Sequence, residues 1–288
     1  MNQSEQAPYG IIERISPLVG RVLAPNPSAF SYTGTQTYLV GTEDLAVIDP
    51  GPDEEDHLNA LIAAIAGRPV KAIMCTHTHR DHSPAAAPLA STLRVPIIGC
   101  APLSIEDDGP RADAAFDTSY APDQILGDGE SVTGEGWTLK ALATPGHTSN
   151  HLCFDLVEEQ ALFTGDHVMG WSTSVVSPPD GDMTDYMNSL ALLMERKDVV
   201  YYPAHGPAVD RPQRLARGLL GHRKQREGQI IRELERGVTY IPDMVAKMYK
   251  GVDVRLHGAA GRSVLAHLLD LSRQGRVRQQ GDHWALQA

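Results

Sequence analysis

The sequence predicts an α/β fold in which sheet layers are covered by helices, followed by a smaller helical unit that ends in a hairpin. Three observations predict it. Over the first two hundred residues, short apolar runs of strand length alternate with amphipathic segments of helix length. After Pro212 the texture changes to long, charged stretches with helical period. The charge divides at the same place: 15 Lys and Arg against 7 Asp and Glu from Arg211 onward, a net +8, and 10 against 29 before it, a net −19. These features place a boundary between a body, 1–210, and a tail, 211–288.

Each element has its own reason. Thr37-Tyr38-Leu39-Val40 and Leu45-Ala46-Val47-Ile48 flank the turn-rich Gly41-Thr42-Glu43-Asp44 and read as a hairpin. Asp49-Pro50-Gly51-Pro52 breaks the pattern, and 56–66 then places apolar residues at 58, 61, 62 and 65, one face of a helix. The apolar run 70–75 is a buried strand. Further strands are expected at 95–98, 137–142, 152–156, 161–163 and 199–202. The stretch 184–196 is helical, with Thr184 as its cap and Tyr186, Met187, Leu190 and Leu193 on one side. In the tail, 214–236, 242–249 and 258–274 are helical, the last stopping at Gly275. Strands at 276–278 and 283–286 flank Gln279-Gln280-Gly281-Asp282. Three helices and a hairpin outline a winged helix.

Composition excludes several classes. With 42% hydrophobic and 21% charged residues in 288, the chain has the balance of a soluble globular protein and the length for a sizeable core. No apolar run reaches the ~20 residues of a membrane-spanning helix, so no membrane partner is expected. Met1-Asn2-Gln3-Ser4-Glu5 lacks the basic start and apolar stretch of a secretory signal, and the expected location is cytoplasmic. Cys75, Cys100 and Cys153 are scattered among apolar neighbours and read as buried thiols, not as a disulfide framework or a structural zinc site.

The chemistry-bearing residues gather where strands end. Thr76-His77-Thr78-His79-Arg80-Asp81-His82 follows the 70–75 strand. Histidines at i and i+2 on extended chain project to one side, so His77 and His79 can reach one metal ion. Asp81 and His82 follow as the chain turns toward a helix over 85–89, where a second ion can be held. Downstream, Thr144-Pro145-Gly146-His147, Phe163-Thr164-Gly165-Asp166 and Tyr202-Pro203-Ala204-His205-Gly206 each present one more ligand type after a short strand. Imidazole and carboxylate donors suit zinc best, with manganese and iron also compatible. A lone HxH pair is more often surface or packing histidine; seven such residues in these contexts together form a different signal. His167, beside Asp166, reads equally as site wall or core, and His57 as a helix-surface residue.

These four motifs, in this order and spacing, resemble the metallo-β-lactamase superfamily over about residues 30–210. The resemblance implies a four-layered αββα sandwich. It also implies that His77, His79 and His147 hold a first metal ion, that Asp81, His82 and His205 hold a second, and that Asp166 bridges the two. By the same likeness His151 orients a ligand or its turn. Further stretches resemble the winged-helix β-lactamase-like protein 2 family: His222-Arg223-Lys224-Gln225-Arg226-Glu227-Gly228, Ser263-Val264-Leu265-Ala266-His267, Gly275-Arg276-Val277 with Trp284, and Asp185-Tyr186-Met187-Asn188-Ser189-Leu190. Asn26-Pro27 and the run Gly34-Thr35-Gln36-Thr37 fit the same group, which extends the likeness over nearly the whole chain.

The ligand set implies a mechanism. Two ions sharing a water lower its pKa from ~15.7 toward ~7 and polarise the carbonyl or phosphoryl oxygen under attack. Asp81 is expected to orient the resulting bridging hydroxide and is the candidate catalytic residue. The expected function is therefore a binuclear metal-dependent hydrolase. Animal members of the resembled family are similar to single-strand-specific endoribonucleases, which makes RNA phosphodiester cleavage the sharpest substrate expectation. A hydrolase of small esters, thioesters or lactones is the alternative, and a nucleic-acid-binding regulator with an inactive site the third reading. Glyoxalase-II-type thioesterases often carry a third histidine where this chain has Thr78, and their C-terminal part differs. The absence of an export signal counts against antibiotic hydrolysis. The segment 171–183 is longer than the family usually carries and should lie beside the metals as a lid or wall, with Thr173, Tyr186 and Asn188 as candidate substrate contacts. The basic tail is expected either to dock on the acidic body as a wall of the cleft or to contact nucleic acid.

Overall fold

The structure is a computed structural model that describes residues 7–103 and 115–287. Two five-stranded sheets form its middle. The first takes β1 (Glu13–Arg14), β2 (Val19–Leu23), β3 (Gln36–Val40), β4 (Leu45–Ile48) and β5 (Val70–Met74) in chain order. The expected hairpin is β3 with β4, Tyr38 standing opposite Ile48. Helix α1 (Glu55–Ile65) carries the chain back, so β5 pairs parallel to β4. Helix α2 (Ala86–Leu93) follows the histidine cluster. The strand expected at 95–98 shortens to β6 (Ile98–Gly99), paired with β7 (Gln124–Ile125), because Pro96 has no N–H to give a ladder.

The second sheet has the order β12 (Val200–Pro203), β11 (Ala161–Gly165), β10 (Leu152–Leu156), β9 (Trp137–Ala143), β8 (Ser131–Gly134). Helix α3 (Met183–Glu195) crosses between β11 and β12, which are parallel. Its cap is Asp182, whose carboxylate accepts from Asp185 N at 3.1 Å. Thr184, the expected cap, instead donates its hydroxyl to Asp270.

Alternation along the strands sorts the core. Phe154, Leu156, Phe163 and Tyr202 fill the space between the sheets with Tyr38 and the residues paired beside it, Ile48 and Met74. The intervening Cys153, Leu162 and Tyr201 face Tyr186, Leu190 and Leu193 of α3. Every residue of β3 and β4 is buried, and Leu61, Ile65 and Leu89 of α1 and α2 join the same core. The layers run helix, sheet, sheet, helix. Burying each large apolar side chain contributes about 1.5–3 kcal/mol. His57, expected on a helix surface, is 1% exposed: the first turn of α1 packs under Gly51, with His57 Nε2 3.2 Å from Thr37 Oγ1. All three cysteines are free and buried, as expected.

The tail comprises α4 (Pro212–Glu235), α5 (Ile241–Met248), α6 (His257–Arg273) and the hairpin β13 (Val277–Gln280) with β14 (His283–Leu286). Helix α4 belongs to two cores. Ala216 and Leu219 pack with α3, whereas Ile230 and Leu234 pack with Met244, Val264, Leu268 and Trp284. The division we propose at 210/211 is thus a change of chain texture within continuous packing. Among the described residues no helix is long and apolar enough to cross a membrane.

Candidate metal centre

Each expected ligand lies just beyond a strand. β5 leads to His77, His79, Asp81 and His82; β9 leads to His147, β11 to Asp166 and β12 to His205. Two turns require glycine. Gly146 has φ +138°, and a Cβ there would fall 2.3 Å from Tyr186 Cα; at Gly165, with φ +47°, it would fall 2.6 Å from Thr76 Oγ1.

Three ring nitrogens converge first. His79 Nδ1 lies 3.0 Å from His77 Nε2 and 3.1 Å from His147 Nε2. A single N–H cannot satisfy both neighbours, whereas a tetrahedral ion with bonds of about 2.0–2.1 Å separates its nitrogens by roughly 3.3 Å. Beside them, His205 Nε2 lies 3.2 Å from Asp81 Oδ2, and His82 Nε2 lies 3.6 Å from Asp81 Oδ1. Asp166 stands between the groups, with Oδ2 3.7 Å from His147 Nε2 and 3.6 Å from His82 Nε2, and Oδ1 3.3 Å from His205 Nε2. The Nε2 atoms of His82 and His205 and the Oδ1 atoms of Asp81 and Asp166 are buried without a hydrogen bond. Such groups are costly to bury unless something completes them. The two clusters, His77, His79, His147, Asp166 and Asp81, His82, His205, offer the donors that divalent ions take, so the residues fit a pair of metal ions.

The outward nitrogens are tied down. His147 Nδ1 faces Val175 O at 2.6 Å, His205 Nδ1 faces Gly34 O at 3.2 Å, and His82 Nδ1 faces Asp49 Oδ2 at 3.1 Å. With a proton on each Nδ1 the inward Nε2 is left with its lone pair, the tautomer that a metal ligand needs. His77 Nδ1 lies 3.0 Å from Thr76 Oγ1.

Charge differs between the clusters. Burial, with His82 and His79 adding, holds His77 well below the usual histidine range, and burial with His147 does the same to His79. Burial also works against a charged His82, but Asp81 and Asp166 outweigh it and raise that group well above its ordinary value. Against the same burial penalty, Asp166 and Asp81 raise His205. Reciprocally, burial pushes Asp166 and Asp81 up, yet the neighbouring His82 and His205 hold both carboxyls below their usual range.

Sequence reasoning missed Asp49. It is 2% exposed, takes φ +48°, and accepts from Thr76 N at 2.7 Å and Thr76 Oγ1 at 2.8 Å while holding His82. It clamps the ends of β4 and β5 beneath the site. The available signal was a carboxylate directly closing an apolar strand, followed by Pro50-Gly51-Pro52. His151 lies where expected: Nδ1 is 2.9 Å from Thr144 Oγ1, and Nε2 accepts from Asp166 N at 3.3 Å, which fixes that turn. His167 belongs to the core, edge-on to Tyr186 at 4.9 Å, and burial followed by His147 and Arg223 pushes it down to about 3.

A cavity of about 310 Å³ opens over His79, Asp81, His147 and Asp166. Phe30, Met169, Trp171, Thr173, Ser174 and Val175 form part of its wall, so the start of the 171–183 segment does lie against the site. The opposite wall comes from the tail: His222, Arg223 and Arg226 of α4, then Tyr249, Val252, Leu256 and Ala260. Of the expected substrate contacts, Thr173 lines the cavity. Tyr186 and Asn188 do not. Tyr186 is fully buried under the second sheet, its hydroxyl donating to His167 O at 3.1 Å, and Asn188 is exposed on α3. The inward face of α3 is consumed by sheet packing.

A four-layered sandwich carrying paired His/Asp clusters at its strand ends defines a class, and the chain belongs to the metallo-beta-lactamase superfamily. That family's profile matches residues 32–205, and the beta-lactamase associated winged helix domain matches residues 241–284. The chain is 37% identical to an atrochrysone carboxyl ACP thioesterase of Aspergillus chevalieri, over 80% of this chain and 70% of the relative. It is 33% identical to a beta-lactamase-like protein 2 homolog of Caenorhabditis elegans, over 78% and 73%. A beta-lactamase domain protein from Burkholderia ambifaria shares the fold, with a TM-score of 0.82 over 98% of this chain and 96% of that one, at 19% identity. The αββα fold, the winged-helix tail and membership of a hydrolase superfamily therefore stand as expected from the motifs.

Proposed function

We propose that the protein is a metal-dependent hydrolase of acyl thioesters and related small esters. One observation carries this reading: the space above the metal centre is a concave cavity of about 310 Å³, bounded on one side by the tail and lined by Phe30, Met169, Trp171, Val175, Tyr249 and Leu256. Such a chamber suits an acyl group of limited size. A single-stranded polyanion instead takes an open basic groove that tracks its backbone. The likeness to a chain named as an acyl carrier protein thioesterase supports the same substrate class. In this reading the tail shapes the pocket, and RNA cleavage, favoured by the +8 net charge from Arg211 onward, is the second reading.

We assign His77, His79 and His147 to one ion and Asp81, His82 and His205 to the other, with Asp166 reaching both. Zinc, iron and manganese all suit these donors. Divalent ions held there supply Lewis acidity, which makes water a nucleophile near neutral pH and polarises the substrate carbonyl. The protein supplies the rest. Asp49, Gly34 O and Val175 O hold three imidazoles in one orientation. Asp81 lines the cavity, stays ionised, and presents Oδ1 to orient the attacking water. Phe30 and Trp171 offer apolar surface to the acyl group.

The test is turnover of N-acetylcysteamine thioesters, lactones and single-stranded RNA, measured with metal content. Thioester hydrolysis that disappears with chelator and in an Asp81→Ala, His82→Ala variant is expected. Metal-dependent RNA cleavage with every thioester and lactone inert would overturn the assignment.

A further inference from the structure

We propose that Arg223 and Arg226 form an anion subsite on the tail side of the cavity, which takes a carboxylate or phosphate carried by the substrate away from the scissile bond. The proposal rests on the hydrolase reading above and names a feature of its substrate. Arg223 is 3% exposed, and its guanidinium lies 5.0 Å over the Tyr186 ring and donates to Ser174 O at 2.5 Å. Its Nε is buried with no hydrogen bond. One turn further on, Arg226 lies 4.2 Å over the Tyr249 ring and donates to Gln229 Oε1 and Met248 O, with its own buried Nε unsatisfied. Both side chains line the cavity that contains Asp81 and Asp166.

A guanidinium buried this deeply ordinarily has a carboxylate beside it. Here the nearby acids are engaged elsewhere: Glu227 with Arg276, Glu233 with Arg236 and Lys247, and Asp270 with Arg273. Among the described residues no acid pairs with Arg223 or Arg226. The same patch adds His222 Nδ1 and both ring nitrogens of His267 to the buried, unsatisfied atoms. Burial, and then Arg223, pushes His267 down to about 3, as a locally positive field should. Pinning Ser174 and stacking on Tyr186 uses one N–H of Arg223 and one face, and leaves the remaining donors for a ligand. An oxyanion satisfies that donor set, and guanidinium is the group suited to bind it. A substrate would then lie across the cavity, carbonyl toward the metal centre and anion toward the tail.

The experiment compares the metal-loaded protein with Arg226→Gln and Arg223→Lys variants on three thioesters: neutral butyryl-N-acetylcysteamine, glutaryl-N-acetylcysteamine with a carboxylate on the acyl side, and butyryl-coenzyme A with phosphates on the thiol side. A KM raised at least tenfold for one anionic substrate, with kcat little changed and the neutral thioester unaffected, is expected. The substrate that responds identifies carboxylate or phosphate as the source. Equal loss on neutral and anionic substrates overturns the subsite. Calorimetric binding of glutarate and inorganic phosphate gives an answer even if no thioester is turned over. Affinity that falls at least tenfold on Arg226→Gln, in the wild-type background and in Asp166→Asn, supports the subsite. Binding that is absent from the wild type, or that survives the arginine change, overturns it.

Discussion

On one side of the cavity, five imidazoles and two carboxylates hang from strand ends and are braced by fixed backbone carbonyls and by Asp49. On the other side, Arg223 and Arg226 hang from a single helix, stacked on tyrosines and short of partners. The first wall completes its hydrogen bonds outward and keeps its open positions for cations. The second keeps its open positions for an anion. On the proposed reading the difference separates reaction from selection, with chemistry in the sandwich and the choice of substrate where the tail meets it.

Removing the strand-end wall should have the largest effect. A His77→Ala, His79→Ala variant is expected to lose at least one equivalent of bound metal, read by elemental analysis, and on the order of 1000-fold in hydrolysis. Full metal content in that variant would break the comparison at its base. Next, Gly146→Ala drives a Cβ into Tyr186 at a φ of +138° and should destabilise the fold by about 2–4 kcal/mol. Thermal unfolding reads that change, and an unshifted Tm would show that the His147 turn is not braced by α3. Asp49→Asn keeps the shape but weakens the hold on His82, and metal affinity measured by competition with a chelator should fall about 10–100-fold.

The smallest effect belongs to the tail wall. His267 has its folded pKa lowered from 6.5 to about 3, so the unfolded chain binds its proton first. Its contribution is present above pH 6.5 and is lost as pH falls toward 3, at up to about 1.4 kcal/mol per pH unit. Denaturant unfolding from pH 7 to pH 5 should therefore show a shallower slope in His267→Leu than in the wild type. Equal slopes would place that histidine in a solvated setting.

The metal-binding wall was legible because each ligand is local to a strand end. A run such as Val70–Met74 announces its strand, and His77, His79, Asp81 and His82 follow within eight residues of Met74. Features set by distant pairing were not. Asp49 matters because β4 lies beside β5, which brings it to Thr76 twenty-seven residues later. Strand β2 went unread because Gly20 and Arg21 interrupt its apolar pattern, and it exists by pairing with β3. Tyr186 read as a substrate contact because its helix was placed correctly, but only packing shows that its ring faces the sheet. Arg223 and Arg226 stood out only as part of a family-like stretch in a basic tail, and it takes the docking of α4 against the 171–175 wall to bring them individually to the cavity.

Helix α4 has a consequence for how such a protein changes over time. A helix of 24 residues reaches about 36 Å, and this one is rooted in the sandwich at Ala216 and in the tail at Ile230. A lineage that exchanged the chain beyond Arg236 would keep the root, the ligand cage and both arginines, while replacing Tyr249, Val252 and Leu256. New chambers could thus be tried on an unchanged reactor, with the beam between them under the tightest constraint of all.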